Sequence, residues 1–157
     1  MNRRNFMGFG VLAMATLPAV LSAFESIDFR KTKPDVWKAK TVQDAIKALY
    51  GDIKPENKGV TVKAPKVASN GGAVPVTIKS DIPAKTVAFF QNMDPESAVT
   101  VWNVPDVGIV DYFLKIKLKA TDANGGNGEL TAIVEGKDGK FYVGKTKLQV
   151  AKGGCEG

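Results

Sequence analysis

One thiol and no imidazole limit what this chain can do by itself. Cys155 is the single cysteine, and the sequence contains no histidine. A Ser-His-Asp or Cys-His constellation cannot be assembled within the chain, and one thiolate with scattered methionines cannot close the usual zinc or copper coordination. What remains is the chemistry of a nucleophilic sulfur, so either the protein is not an enzyme or its thiol is its chemistry. No metal or other cofactor is expected. The thiol sits in "AKGGCEG", preceded by Gly153 and Gly154 and followed by Glu156 and Gly157. The two glycines have no side chains to pack and the loosest backbone available, so they read as the hinge of an arm whose tip is Glu156 and Gly157. From Lys152 to Gly157 such an arm reaches roughly 15–20 Å when extended. A thin terminal thiol of this kind could enter a narrow pocket on another protein and carry something there. The competing uses are a lasting disulfide to a partner and an incidental cysteine at a chain end.

The front of the chain reads as an address. In "MNRRNFMGFGVLAMATLPAVLSA", Arg3 and Arg4 precede a run of uncharged small and apolar residues that ends in "LSA". The run is shorter and richer in Gly and Ala than a spanning helix, and the pattern predicts a signal peptide over 1–23. The paired arginines with Phe6 resemble a twin-arginine signal, although Asn2 and Gly8 depart from its fuller pattern and the general secretory route is the alternative. The mature protein is expected in the periplasm, without a membrane anchor. Disulfides persist there, so a lone cysteine is a free thiol, a bridge to another molecule or a carrier. The formal charge of +6 includes the two leading arginines, and the lysines are scattered rather than gathered into a block. That balance fits a soluble surface and excludes nucleic acid as an expected partner.

The elements that must position the thiol can be read from periodicity. With 44% apolar residues in the full chain, the mature part suits one compact domain, expected over 24–152, with the arm at 153–157. "FESIDFRKTKPDVWKAK" has no clean period and is expected to drape over the domain. In "TVQDAIKALYG", Val42, Ala45, Ile46 and Leu49 fall at helical spacing. Thr41 is placed to cap it, Asp44 stands at the capping-box position, and Gly51 suits the stop. From Lys58 onward the pattern alternates. "GVTVKAPKV", "AVPVTIKSD", "KTVAFFQNM", "AVTVWNV", "GIVDYFLKIKLKATD" and two strands around "GKDGK" predict about seven strands, separated by "SNGG", "DPES" and "NGGNG". This is an all-β, immunoglobulin-like antiparallel sandwich with a short N-terminal helix; a small barrel is the competing architecture. Phe89, Trp102, Phe113 and Leu114 are the expected large core residues. Val99, Val101 and Trp102 are read as core first and as a partner surface second.

Taken together, the signal segment, the short helix, the strands, "NGGAVPVTIKSD", "GKFYVGKTKLQV" and the terminal "VAKGGCEG" resemble the SoxY family, sulfur-carrier subunits of the bacterial thiosulfate-oxidising system. Members end in Gly-Gly-Cys-Gly-Gly. The resemblance implies a non-enzymatic carrier that holds sulfur covalently on Cys155. It implies a SoxZ-like second subunit and three partner enzymes. A haem enzyme joins thiosulfate to the thiol, a dimanganese hydrolase releases sulfate, and a molybdenum–haem dehydrogenase oxidises the sulfur left behind. Glu156 departs from the family pattern, adding width and negative charge beside anionic adducts. In water such a pair of charges a few ångströms apart interacts by about 1 kcal/mol.

Overall fold

The computed structural model describes residues 26–151, and eight strands form two sheets that face each other. The strands are β1 (Val60–Lys63), β2 (Val67–Ala68), β3 (Val74–Ser80), β4 (Ala84–Gln91), β5 (Ala98–Asn103), β6 (Val110–Ile116), β7 (Asn127–Gly136) and β8 (Phe141–Val150). One sheet has the order β1-β3-β6 and the other β2-β8-β7-β4-β5. The architecture is the immunoglobulin-like sandwich. Alternation made it: Val74, Val76 and Ile78 point inward from β3 and are buried, while Pro75 between them and Lys79 after them are exposed. Phe89, Val87, Leu130, Ala132 and Val134 meet them from the opposite sheet.

β4 reads "AKTVAFFQ" because both of its faces are covered. Phe89 faces the space between the sheets. Phe90 and Ala88 face the other way, into a second core with Ile133 of β7. That second core is roofed by the N-terminal segment, which folds as α1 (Phe29–Thr32), a 3-10 turn (Pro34–Lys38) and α2 (Val42–Tyr50). Val36, Ala45, Ile46 and Leu49 supply its buried apolar atoms. The helix on its own is too short to be stable in water, so the sheet beneath it is what holds it helical. Thr41 caps α2 as its sequence requires, accepting from the Asp44 amide at 3.1 Å. The Asp44 carboxylate accepts from the Thr41 hydroxyl at 2.7 Å rather than closing a capping box on the backbone. Across the same layer Tyr50 Oη meets Thr86 Oγ1 at 2.8 Å, and Thr86 donates to Glu135 Oε2 at 2.9 Å.

Four expectations are corrected. "GVTVKAPKV" is not one strand: Pro65 interrupts it, leaving β1 in one sheet and the two-residue β2 in the other, so there are eight strands rather than seven. β2 runs parallel to β8, with Val67 opposite Gln149 and Ala68 opposite Val150, in a sandwich whose other strand pairs are antiparallel. "GIVDYFLKIKLKATD" ends as a ladder strand at Ile116, and "NGGNG" yields its last two residues to β7. Phe113 is not in the core. It is 65% exposed because alternation puts it with Asp111 and Lys115 on the outer face, opposite Thr77 of β3. Leu114 and Trp102 are half-buried against the core, and Trp102 stacks on Tyr112 with ring centroids 4.7 Å apart. Val99 packs on the same core and Val101 on the second one.

Candidate functional site

Gly153, Gly154, Cys155, Glu156 and Gly157 lie outside the described residues, as does the leading segment 1–23, so the site is built from its root. That root is the end of β8. Gln149 donates to the Lys66 carbonyl at 2.9 Å and Ala151 to the Ala68 carbonyl at 2.8 Å, both on the β2 side. Between them Val150 donates to the Gly126 carbonyl at 2.7 Å on the other side. Three consecutive amides are thus tied to both flanks of the strand. The Val150 side chain is buried, and Ala151 is the first exposed residue beyond it.

Two Asn-Gly-Gly triplets make the close packing around Val150. In the first, Asn70 Oδ1 accepts from the Gly72 amide at 2.7 Å. In the second, Asn124 Oδ1 accepts from the Gly126 amide at 2.8 Å and from the Thr121 amide at 2.8 Å, while its Nδ2 donates to the Lys119 carbonyl at 3.0 Å. Each asparagine folds its own turn by capping the amide two residues on. The glycines are needed for space as well as for conformation. A Cβ on Gly71 would lie 2.3 Å from the Leu118 carbonyl oxygen and 2.9 Å from Val150 Cγ1. A Cβ on Gly126, where φ is +79°, would lie 2.3 Å from the Val150 carbonyl oxygen. Sequence reading placed turns at both triplets but did not link them to the tail; their identity to one another was the available signal.

The same end of the sandwich carries the turn between β4 and β5. Gln91 is buried and organises it, its Oε1 accepting from the Met93 and Asp94 amides and its Nε2 donating to the Glu96 carbonyl at 2.6 Å. Burial pushes the Asp94 carboxyl up from its ordinary value, against the opposing pull of the Lys119 amide and the Lys117 ammonium. Glu96 is held below the ordinary range by its 2.6 Å hydrogen bond from Lys40. Among the described residues no cluster of His, Cys, Asp or Glu could hold a metal ion, and no helix is long and apolar enough to cross a membrane. What the arrangement supplies is a fixed point of departure.

Comparison with known proteins follows this geometry. The structure of the sulfur carrier protein SoxY from Chlorobium limicola f thiosulfatophilum is similar over 74% of this chain and 96% of that one, with 24% identity and a TM-score of 0.61. A superoxide reductase (neelaredoxin) variant from Ignicoccus hospitalis shares the fold at 14% identity and a TM-score of 0.50, over 75% of this chain and 92% of that one. No curated protein matches. The family model "Sulfur oxidation protein SoxY" matches residues 46–155, from α2 through both triplets to the cysteine itself. With more than half its length inside that match, the chain belongs to the SoxY family of sulfur oxidation proteins.

Proposed function

We propose that this protein is a periplasmic sulfur carrier, and that Cys155 is the atom to which the cargo is bonded. The observation that carries the reading is that the family match runs to Cys155, five residues beyond a strand end tied on both flanks. In this reading Gly153 and Gly154 let the thiol move between catalysts while the body stays rigid. A haem enzyme removes two electrons as the Cys155 thiolate and the outer sulfur of thiosulfate form an S–S bond. A dimanganese hydrolase then adds water, releasing sulfate and two protons and leaving a persulfide on the cysteine. A molybdenum–haem dehydrogenase oxidises that sulfur. A SoxZ-like subunit completes the carrier, and the residues 1–23 direct export. The chain contributes tether and nucleophile and catalyses none of these steps.

Intact-mass measurement on protein from thiosulfate-grown cells tests this. The expected result is a set of sulfur adducts on Cys155 that a reducing agent removes. An unmodified thiol, or a stoichiometric disulfide to one partner, would refute it. Glu156→Gly, timed for loading of Cys155, is expected to speed conjugation by the haem enzyme.

A further inference from the structure

β6 runs into "KIKLKA", and its alternation continues past the end of the ladder. Ile116 and Leu118 are buried while Lys115, Lys117 and Lys119 are exposed along one edge, about 7 Å apart at strand spacing. None of the three is in the ion pairs that engage eight other lysines among the described residues. The row ends at the root of the tail. Leu118 donates to the Gly71 carbonyl at 2.8 Å, and the Lys119 carbonyl is bonded by Asn124 of the second triplet. Lys66, whose carbonyl holds Gln149, adds an exposed ammonium on the other flank. Lys115 and Lys117 also form one rim of a cleft floored by Val99, Trp102 and Leu114. On its far rim Glu96 is taken by Lys40 at 2.6 Å. Asp94 faces the row and Asp122 lies on the loop beyond it, so four cations stand against two carboxylates there. The sequence had shown the lysines as scattered along the chain; folding brings this run of three to the end of β8.

We infer that Lys115, Lys117 and Lys119 form an anion-receiving surface for the sulfonate group of sulfur oxyanions that react at, or are bonded to, Cys155. The inference rests on the attachment reading above. Ala151 to Cys155 spans at most about 13–14 Å, which brings the thiol within reach of Lys117 and Lys119. An anion arriving there meets a positive local potential, so its concentration at the thiol rises and its sulfonate is steadied once bonded.

The test uses the full reduced chain and two reagents. With tetrathionate, the Cys155 thiolate attacks one inner sulfur, the central S–S bond breaks, a Cys–S–S–sulfonate adduct forms and thiosulfate leaves with the electron pair; no outside oxidant is needed. With the neutral reagent 2,2′-dithiodipyridine, the same thiolate displaces thiopyridone. The double variant Lys117→Gln, Lys119→Gln is expected to react with tetrathionate roughly 3- to 10-fold more slowly at low ionic strength, with the difference gone near 0.5 M salt. Its rate with dithiodipyridine should be unchanged. Lys58→Gln, an equal charge loss at the opposite end of the sandwich, should change neither rate. Equal tetrathionate rates in variant and parent, or equal slowing with both reagents, would overturn the inference while leaving the attachment reading intact. A Cys155 that reacts with neither reagent would overturn the attachment reading, and this inference with it.

Discussion

Replacing Gly126 by alanine should loosen the tail's root by an amount that can be worked out from its neighbours. Two costs combine. Gly126 holds φ at +79°, a left-handed conformation that costs an L-residue about 1–2 kcal/mol. Its new Cβ would also stand 2.3 Å from the Val150 carbonyl oxygen, which is backbone and cannot rotate away. Relieving that contact moves the two chains apart and weakens the 2.7 Å bond from Val150 to the Gly126 carbonyl, worth about 1 kcal/mol. The sum is about 2–3 kcal/mol. Gly139, in the turn between β7 and β8, is the internal control: its φ is also +79°, but nothing lies within 4 Å of its Cβ position. Gly139→Ala should therefore lose only the conformational part, about 1–2 kcal/mol. Urea unfolding of both variants measures the difference from the midpoints at constant slope. Amide exchange at Ala151 localises it, because that amide should lose protection in Gly126→Ala alone. Equal destabilisation by the two substitutions would show that the loop does not hold the end of β8.

Three further outcomes follow from the packing and the polar network. Phe89→Ala should cost about 3–5 kcal/mol and Phe113→Ala less than about 0.5 kcal/mol, since the first is fully buried and the second 65% exposed; calorimetry of the pair checks it. Ser97 is fully buried and its hydroxyl has no hydrogen-bond partner among the described residues, so Ser97→Ala should raise stability by about 1 kcal/mol in denaturant titration, and a loss would refute the assignment. The Tyr142 hydroxyl donates to Asp138 at 2.6 Å, and that bond, more than the partial burial, pushes the phenol up to about 12 while holding Asp138 below its ordinary value. Because the folded phenol titrates above the unfolded one, the stabilisation is whole below about pH 10 and is lost as pH rises through about 12. On the acid side it is lost as pH falls through the depressed Asp138 value. Asp138→Ala should return the Tyr142 midpoint toward 10 in a carbon-13 NMR titration; an unmoved midpoint would contradict it.

The sandwich was legible because alternation is a strong signal wherever one face is dry. Val74, Val76 and Ile78 announced their face, and the helical spacing of Ala45, Ile46 and Leu49 announced theirs. Where the reading slipped, the competing cause is identifiable. Phe113 was placed by its aromatic character, yet its neighbours two residues either way are Asp111 and Lys115, and the pleat decided. Pro65 forced a change of sheet that a run of valines concealed. The site divided differently. The thiol and its glycines were plain in the sequence, whereas Gly71 and Gly126, which pack on Val150 at the end of β8, lie far upstream of it, and only the fold brings them to it. The lysine row stood plainly in "KIKLKA", but its place beside the end of β8 depends on bonds to Gly71 and Asn124 that only the fold makes.

β8 is flanked by β7 along its length and by β2 at its last residues, so the last strand among the described residues is an interior one. A pull on whatever follows Ala151, exerted by a catalyst that grips the tail, acts along the strand axis. It loads the rungs on both sides in shear, all at once, rather than peeling them singly as it would from an edge. Detaching β8 from that end therefore requires breaking bonds on both of its flanks together.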